Sequence, residues 1–436
     1  MKEVKLQKYP AYKNSGVEWL GEIPEHWDAV SLGSILELKS DKNHPDYEVL
    51  SVYREYGVIK KDSRDDNHNA TSLDTSNYKA VEPGDLVVNK MKAWQGSMGV
   101  SPHKGIVSPA YITCRVNSEK IHPEYLHQLL RCDLYIGEYN RLSYGVRVGQ
   151  WDMHYEDFKH ITTTIPPIAE QTAIANFLDI KTAQIESAIS IKQKQIELLK
   201  ERRQILIHRA VTRGLNRNVK LKDSGVEWIG EIPEGWNIVP IRRLIDVRDG
   251  THDTPLYVDN VYDTYPLVTS KDFEGDIINF TNTKRISKRD HLNIAKRSGV
   301  KSGDVLMSMI GGNIGKSVII DKNDDFSVKN VALFITRDNY YLAKYLRYYF
   351  DSGLLNKQIE LKSRGGAQGF LSLGDIRNLI FFKMPKSEMV DIVVYLDKII
   401  NQKISTAISL KEKEIEKLKE YKQVLINEVV TGKLKI

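Results

Sequence analysis

The sequence predicts an α+β fold built twice. Two mixed globules alternate with two long helices, and the helices pair as an antiparallel coiled coil under a pseudo-two-fold repeat. Three observations carry this. SGVEWLGEIPEHW at 15–27 returns as SGVEWIGEIPEGW at 224–236, identical at 11 of 13 positions. AISIKQKQIELLKERRQILI at 188–207 returns as AISLKEKEIEKLKEYKQVLI at 407–426. The segments between, 28–164 and 237–383, hardly match except at frame positions such as PGDLVV (83–88) and SGDVLM (302–307). One scaffold therefore carries two unlike inserts.

The repeated turn opens each half. Two unlike inserts would not need the same ligand contact, whereas two copies of one scaffold need the same packing. Trp19, Trp27, Trp228 and Trp236 therefore read as core anchors near a helix end. In the mixed segments, LVVNKM, GIVSPAYITCRV, DVLMSMI, KSVIID and VALFIT are short β-branched or aromatic runs bounded by turn residues, and read as strands. HPEYLHQLLRCDLYIGEYN and YLAKYLRYYFDSGLLNKQI read as amphipathic helices that come after them. The long helices show an a/d seam. Ile185, Ile189, Ile196, Leu199, Leu206 and Ala210 fall at steps of four and three once Lys192 and Arg203 are included. Ile404, Ile408, Lys411, Ile415, Leu418, Lys422, Leu425 and Val429 repeat the pattern. The cations either snorkel to the edge of the seam or set its register. The first such helix would span roughly 60 Å.

The resulting boundaries are a first globule at 1–164, a first long helix at 165–213, a second globule at 214–383 and a second long helix at 384–436. IPPIAEQTAIANFLD (165–179) leads into the first helix; its counterpart MPKSEMVDIVVYLD (384–397) lacks the second proline and the Glu-Gln pair. The first long helix runs on into VTRGLNRNVKLKDSGVEW at 211–228, whereas the second runs on only into VTGKLKI at 430–436. MKEVKLQKYPAYKNSGVEW at 1–19 supplies the counterpart that the second helix lacks. A two-fold arrangement thus makes the terminal segments neighbours.

Composition narrows the function classes. No apolar run reaches about 18 residues, and the first residues have no apolar core for a signal peptide. Cys114 and Cys132 are the two cysteines, too few for a disulfide framework and without CxxC or Cys/His spacing. The expected setting is reducing and cytoplasmic, with no membrane and no structural zinc. A net charge of +6 permits a nucleic-acid partner without demanding one. Enzyme motifs fail on inspection. GGNIGKS (311–317) resembles a phosphate loop, but Ile310 stands where GxxxxGK[ST] needs glycine. There is no NPPY-type motif, no HExxH and no GxGxxG after a strand. Asp85 and Asp304 match between halves and read as turn formers.

The doubled SGVEWxGEIPExW, the IPPIAEQ…FLD approach to a long helix and KQIELLKERRQILI resemble the specificity (S) subunit of type I restriction–modification enzymes, across essentially the whole chain. That resemblance implies a non-catalytic subunit with two target-recognition domains. Each reads one half of a split, asymmetric site in double-stranded DNA. The helices space the domains and dock two methyltransferase (M) subunits. Motor-nuclease (R) subunits complete an enzyme of phage defence. It also implies that S-adenosylmethionine, ATP and Mg belong to the partner subunits, with no cofactor and no metal on this chain.

Base readout needs Arg, Lys, Asn or Gln at base edges, with further cations on phosphates. In the first globule NKMKAWQG (89–96) offers Asn89, Lys90, Lys92 and Gln95, and RLSYGVRVGQ (141–150) offers Arg141, Arg147 and Gln150. Trp94 sits among these readers and stays open between base stacking and packing. In the second globule GGNIGKS offers Asn313 and Lys316, and LKSRGGAQG (361–369) offers Arg364 and Gln368. The alternative for each strip is a flexible surface loop with solvated cations. KRISKRDHLNIAKR (284–297), with Lys288 and Arg289, reads as a supply of phosphate contacts or as a solvated face.

Half-sites on one face of the duplex sit about one turn, roughly 34–36 Å, apart. If the helices set that distance, four residues inserted in register between Leu199 and Arg203 lengthen one by roughly 6 Å. The preferred gap should grow by one or two base pairs with both half-sites unchanged. Methylome sequencing reads the outcome, and an altered half-site with an unchanged gap refutes the ruler.

Overall fold

A computed structural model of the chain describes residues 6–63, 72, 74–147, 150–260, 262–321, 325–337, 339–362 and 369–436, with the backbone alone at 146, 147 and 150. It forms two compact units, Met1–Lys192 with Lys413–Ile436, and Gln193–Glu412. The 46-residue helix Ile168–Arg213 gives its first part to one unit and its last part to the other.

Both units are built on one frame. In the first, a four-stranded antiparallel sheet runs in the order Leu36–Lys39, Ile112–Val116, Leu86–Val88, Met98–Val100. In the second, the same order is filled by Val247–Asp249, Val331–Phe334, Val305–Ser308 and Ser317–Ile319. The central strands are apolar at almost every position because both faces are covered. Leu86 and Val88 face the main core, while Val87 joins a second cluster with Leu50, Val52 and Val58. Val305 and Met307 likewise face one core and Leu306 another. Side-chain alternation along a strand produces this split. Asp85 and Asp304, at the turns before these strands, are buried and spoken for. Asp85 takes Lys39 Nζ at 2.6 Å, and Asp304 takes Arg337 Nη2 at 2.8 Å and the Thr336 N–H at 3.0 Å.

The insertion between the first two frame strands in sequence differs between the units. The first unit places there the hairpin Leu50–Tyr53 with Gly57–Lys60, and the strand Lys79–Val81. The second unit places there strand Thr264–Val268, paired with Arg285–Ser287 and, in parallel, with Ser327–Val328. It also places there the basic helix Lys288–Ala295. The expected amphipathic helices each divide in two: Pro123–Leu130 and Asp133–Leu142, then Tyr340–Asp351 and Leu354–Lys362.

The repeated tryptophan turn is packing, as its duplication implies. Trp27 and Trp236 are fully buried, and Trp19 and Trp228 pack against the same cores. The apolar seam is covered in both units. Ile185 and Ile189 share a core with Leu418 and Leu425, and Leu199 and Leu206 share one with Ile404 and Ile408. Rising numbers meet falling ones, so the pairing is antiparallel. The cations in the seam reach carboxylates: Lys192 meets Glu414 at 2.5 Å, Lys422 meets Glu186 at 2.7 Å and Arg203 meets Asp351 at 3.0 Å. These pairs are partly exposed and worth about 0–1 kcal/mol each, so the seam's apolar burial carries the pairing.

The second long helix departs from the first in one respect. It runs as an α-helix over Lys386–Leu396, a π-helix over Asp397–Ile404 and an α-helix over Ser405–Val430. Asp397 stands 218 positions after Asp179, whereas Ala407 stands 219 after Ala188. One extra residue therefore lies between them, and the widened turn absorbs it without breaking the helix. The same offset of 218 corrects the sequence reading of this segment: Glu388 stands at the place of Glu170, so only the glutamine and one proline are missing. Trp236 Nε1 donates to Glu388 at 2.8 Å. In the first unit Glu170 is taken instead by the Tyr9 hydroxyl at 2.5 Å and by His26 at 2.9 Å.

The terminal segments meet within the first unit. Lys435 N–H donates to Gln7 O at 2.7 Å, the Tyr12 hydroxyl donates to Lys433 O at 3.2 Å, and Leu434 and Ile436 pack on the core.

Helix Pro123–Leu130 is fixed to its sheet by His127, whose Nδ1 accepts from the Val100 N–H at 3.2 Å while Arg131 Nη1 lies 2.6 Å from Nε2. Burial and then the Arg131 charge push the imidazole down to about 4. Its folded value lies below the unfolded one, so the unfolded chain binds more protons between about pH 4 and 6.5. Stability from this group is complete above about 6.5 and is lost as the pH falls toward 4, on the order of 3 kcal/mol. Urea unfolding of the full chain at several pH values should show this loss, and His127→Gln should flatten that part of the profile.

Candidate nucleic-acid interface

In the first unit the structure brings two of the sequence-derived strips together. The 3₁₀ turn Lys90–Gln95 comes directly after the central strand and ends on Gly96, whose φ of 82° admits glycine readily. A Cβ there would sit 2.6 Å from Ile136 Cδ1. The hairpin Tyr144–Arg147 with Gln150–Asp152 folds onto this turn. Met153 N–H donates to Lys90 O at 2.9 Å, Lys90 Nζ lies 3.4 Å from Asp152, and Trp94 meets Trp151 edge to face at 5.1 Å. Trp94 is half-buried and its N–H is used by Met91 O, so packing accounts for much of the ring.

Asn89 is buried, with its amide donating to the Tyr111 hydroxyl at 3.3 Å and its Oδ1 left without a partner among the described residues. It lines a cavity of about 440 Å³ together with Lys92, Trp94, Gln95, Tyr53 and Arg54. Lys92 is exposed at its edge. Arg141 is held by both oxygens of the buried Glu138, at 2.8 and 2.6 Å, which fixes its guanidinium to its own helix. Arg147 and Gln150 face each other across the hairpin backbone, and their side chains lie outside the described atoms.

The second unit repeats the arrangement. Its turn Gly311–Asn313 comes after the matching strand and is joined to the end of the glycine strip. Gly311 N–H donates to Gly369 O at 2.8 Å and Leu371 N–H to Met309 O at 2.9 Å. Asn313 is exposed. Lys316 extends its ammonium to the Phe273 carbonyl. Arg364 and Gln368 lie outside the described residues. Lys288 pairs with Asp263 at 3.0 Å, and Arg289 is exposed beside it.

One cluster was missed by the sequence reading. Asp249, buried at the end of a frame strand, takes Arg297 at 2.6 Å on one oxygen and His252 at 3.0 Å on the other. His252 Nδ1 lies 3.0 Å from Asn330 Oδ1, and its ring approaches the exposed Phe370 at 6.3 Å. Gly250 makes this possible, because a Cβ there would lie 2.1 Å from Val328 O. The cluster ties the basic helix to the glycine-rich turn. Its residues are 249, 252, 297, 330 and 370, a spread that no local pattern marks; the glycine beside Asp249 is the one sequence signal.

Cys114 and Cys132 are free and buried, burial pushing each thiol up to about 12. Among the described residues no group of three His, Cys, Asp or Glu side chains converges as a metal site, and no helix is long and apolar enough to cross a membrane.

Frame, repeat and paired seam define a duplicated α+β scaffold with two unlike insertions. A family model described as type I restriction modification DNA specificity domain matches residues 24–200. Over most of its length the chain is also similar to type I restriction enzyme specificity subunits. It is 22% identical over 429 residues to the type I restriction enzyme MjaVIII specificity subunit of Methanocaldococcus jannaschii, covering 95% of this chain and 94% of that one. It is 21% identical over 397 residues to the StySPI specificity subunit of Salmonella potsdam, covering 86% and 82%. Two solved chains share the fold. One, from work on complex assembly and conformational transition of the type I R-M system, superposes with a TM-score of 0.69 at 16% identity, over 94% of this chain and 98% of that one. The HsdS subunit from Thermoanaerobacter tengcongensis gives 0.56 at 17% identity, over 96% and 99%.

Proposed function

We propose that the chain is the non-catalytic, sequence-reading subunit of a type I complex. Unit one reads one half of a split, asymmetric DNA site and unit two the other. The chain directs adenine methylation by two M subunits and, with R subunits, restriction. S-adenosylmethionine, ATP and Mg are held by those partners. The observation that carries this reading is the identical four-stranded frame with unlike insertions between its strands. A frame kept twice supports assembly; insertions that differ support two different half-sites. The exposed Lys92 and Asn313 on the shared turns, and the exposed Arg289 on the basic helix of the second unit, supply chemistry suited to phosphates and base edges.

Methylome sequencing of cells expressing the chain with its M partner should show adenine methylation at a split, non-palindromic site, and the chain alone should neither methylate nor cut. A continuous palindrome, or activity from the chain alone, would contradict this.

A fragment of residues 1–214 keeps the first reader but loses Lys413–Ile436, the helix end that completes its unit. Its exposed seam should drive dimerisation, each copy supplying the other's missing helix end. Light scattering should report a dimer, and with M subunits the fragment should methylate a palindrome made of the first half-site. A stable monomer would refute it.

A further inference from the structure

The basic helix Lys288–Ala295 has two chemically distinct faces. Its inner face is anchored. His291 is buried, stacks on the Tyr265 ring at 4.0 Å and lies 3.0 Å from Ser327 Oγ. Ser287 caps the N-terminus by accepting the Asp290 N–H at 3.2 Å, and beyond the C-terminus Arg297 is locked onto Asp249. These contacts leave the helix little freedom to rotate.

The outer face carries Lys288, Arg289, Leu292, Asn293 and Lys296. They occupy one stripe, because steps of four bring residues onto the same side. Leu292 is 51% exposed. Arg289, Asn293 and Lys296 are exposed and make no ion pair or side-chain hydrogen bond with the described residues. A face that met only phosphates would need cations and donors. This one sets an apolar side chain and a neutral amide between cations, which is the composition that base edges require. Eight residues make a rod about 12 Å long, and the major groove is about 12 Å wide. The corresponding insertion of the first unit holds no α-helix among the described residues, so the element is one of those by which the units differ.

We propose that this helix lies in the major groove of the half-site addressed by the second unit and reads bases there. Arg289 donates to guanine O6 and N7, Asn293 pairs with the adenine edge, and Leu292 covers a thymine methyl. Lys288 and Lys296, at the ends of the stripe, contact flanking phosphates. This rests on the reading of the chain as a DNA-specificity subunit, and it moves Arg289 from phosphate contact to base recognition.

The test uses the full chain with its M partner on a pool of randomised duplexes, sequencing the bound fraction. Arg289→Ala and Asn293→Ala should each relax one or two adjacent base pairs of a single half-site, lowering discrimination there by roughly 5- to 150-fold. The other half-site should be unchanged. Lys288→Ala with Lys296→Ala should weaken all sequences alike and reduce the salt slope by about two. All four side chains are exposed, and circular dichroism checks that the fold is retained. If Arg289→Ala and Asn293→Ala weaken every DNA equally, the helix is a phosphate contact and the proposal fails. If they change nothing while the unaltered chain still enriches a sequence, the face meets solvent or a protein partner and the proposal fails. If the unaltered complex enriches no sequence, the DNA-specificity reading falls, and this assignment with it.

Discussion

Each long helix ends in the same three-part closure, and the rest of each unit depends on it. A helix end leaves carbonyls without partners. A fully buried tyrosine supplies one: Tyr125 donates to Val430 O at 2.9 Å and Tyr345 donates to Val211 O at 3.1 Å. A glycine then turns the chain in the left-handed region, Gly432 at φ 77° and Gly214 at φ 69°. The repeated tryptophan closes over it. A Cβ on Gly432 would lie 2.9 Å from Trp27 Cζ3 and 2.4 Å from Pro24 Cδ, and one on Gly214 would lie 3.5 Å from Trp236 Cζ2 and 2.7 Å from Glu388 Oε1. The repeated turn is thus the seat of a helix terminus, which comes from the far end of the sequence in the first unit and from the residues just before the turn in the second.

That closure accounts for the scaffold residues being repeated in both halves while the insertions differ. Tyrosine, glycine and tryptophan belong to different segments, so altering one strands a buried polar group or creates overlap in the others. The insertions between frame strands differ in their elements and in how they contact the frame. The first unit fills the space with a hairpin and a further strand, the second with an antiparallel strand pair and a helix.

Much of this was legible in the sequence. The doubled tryptophan turn gave its own explanation, because identical residues flanking unlike inserts had to be packing. The seam was readable because its spacing of three and four survives even where Lys192 or Arg203 interrupts it. Other features were not legible, for physical reasons. The widened turn at Asp397–Ile404 shows as a one-residue change of offset, which helix periodicity alone does not register. Glu388 was overlooked because its neighbours differ from those of Glu170, although the buried indole selects only the carboxylate. Arg141 and Lys316 read as free cations, yet one is claimed by a buried carboxylate and the other by a backbone carbonyl. The Asp249 cluster joins residues dispersed over the unit, and only the fold assembles it. The two faces of the basic helix became separable once His291 was seen to be buried.

The helix ends, and not the order of segments along the chain, define the units. The bridge between Gln7 and Lys435 closes the first unit just as the continuous chain after Gly214 closes the second. A circular permutant joining Ile436 to Met1 and opened at the exposed Asn216 tests this most directly. The permutant should fold, with the parent's circular dichroism and a melting temperature within a few degrees of the parent's. An unfolded or aggregating permutant, with the parent folded under the same conditions, would contradict it.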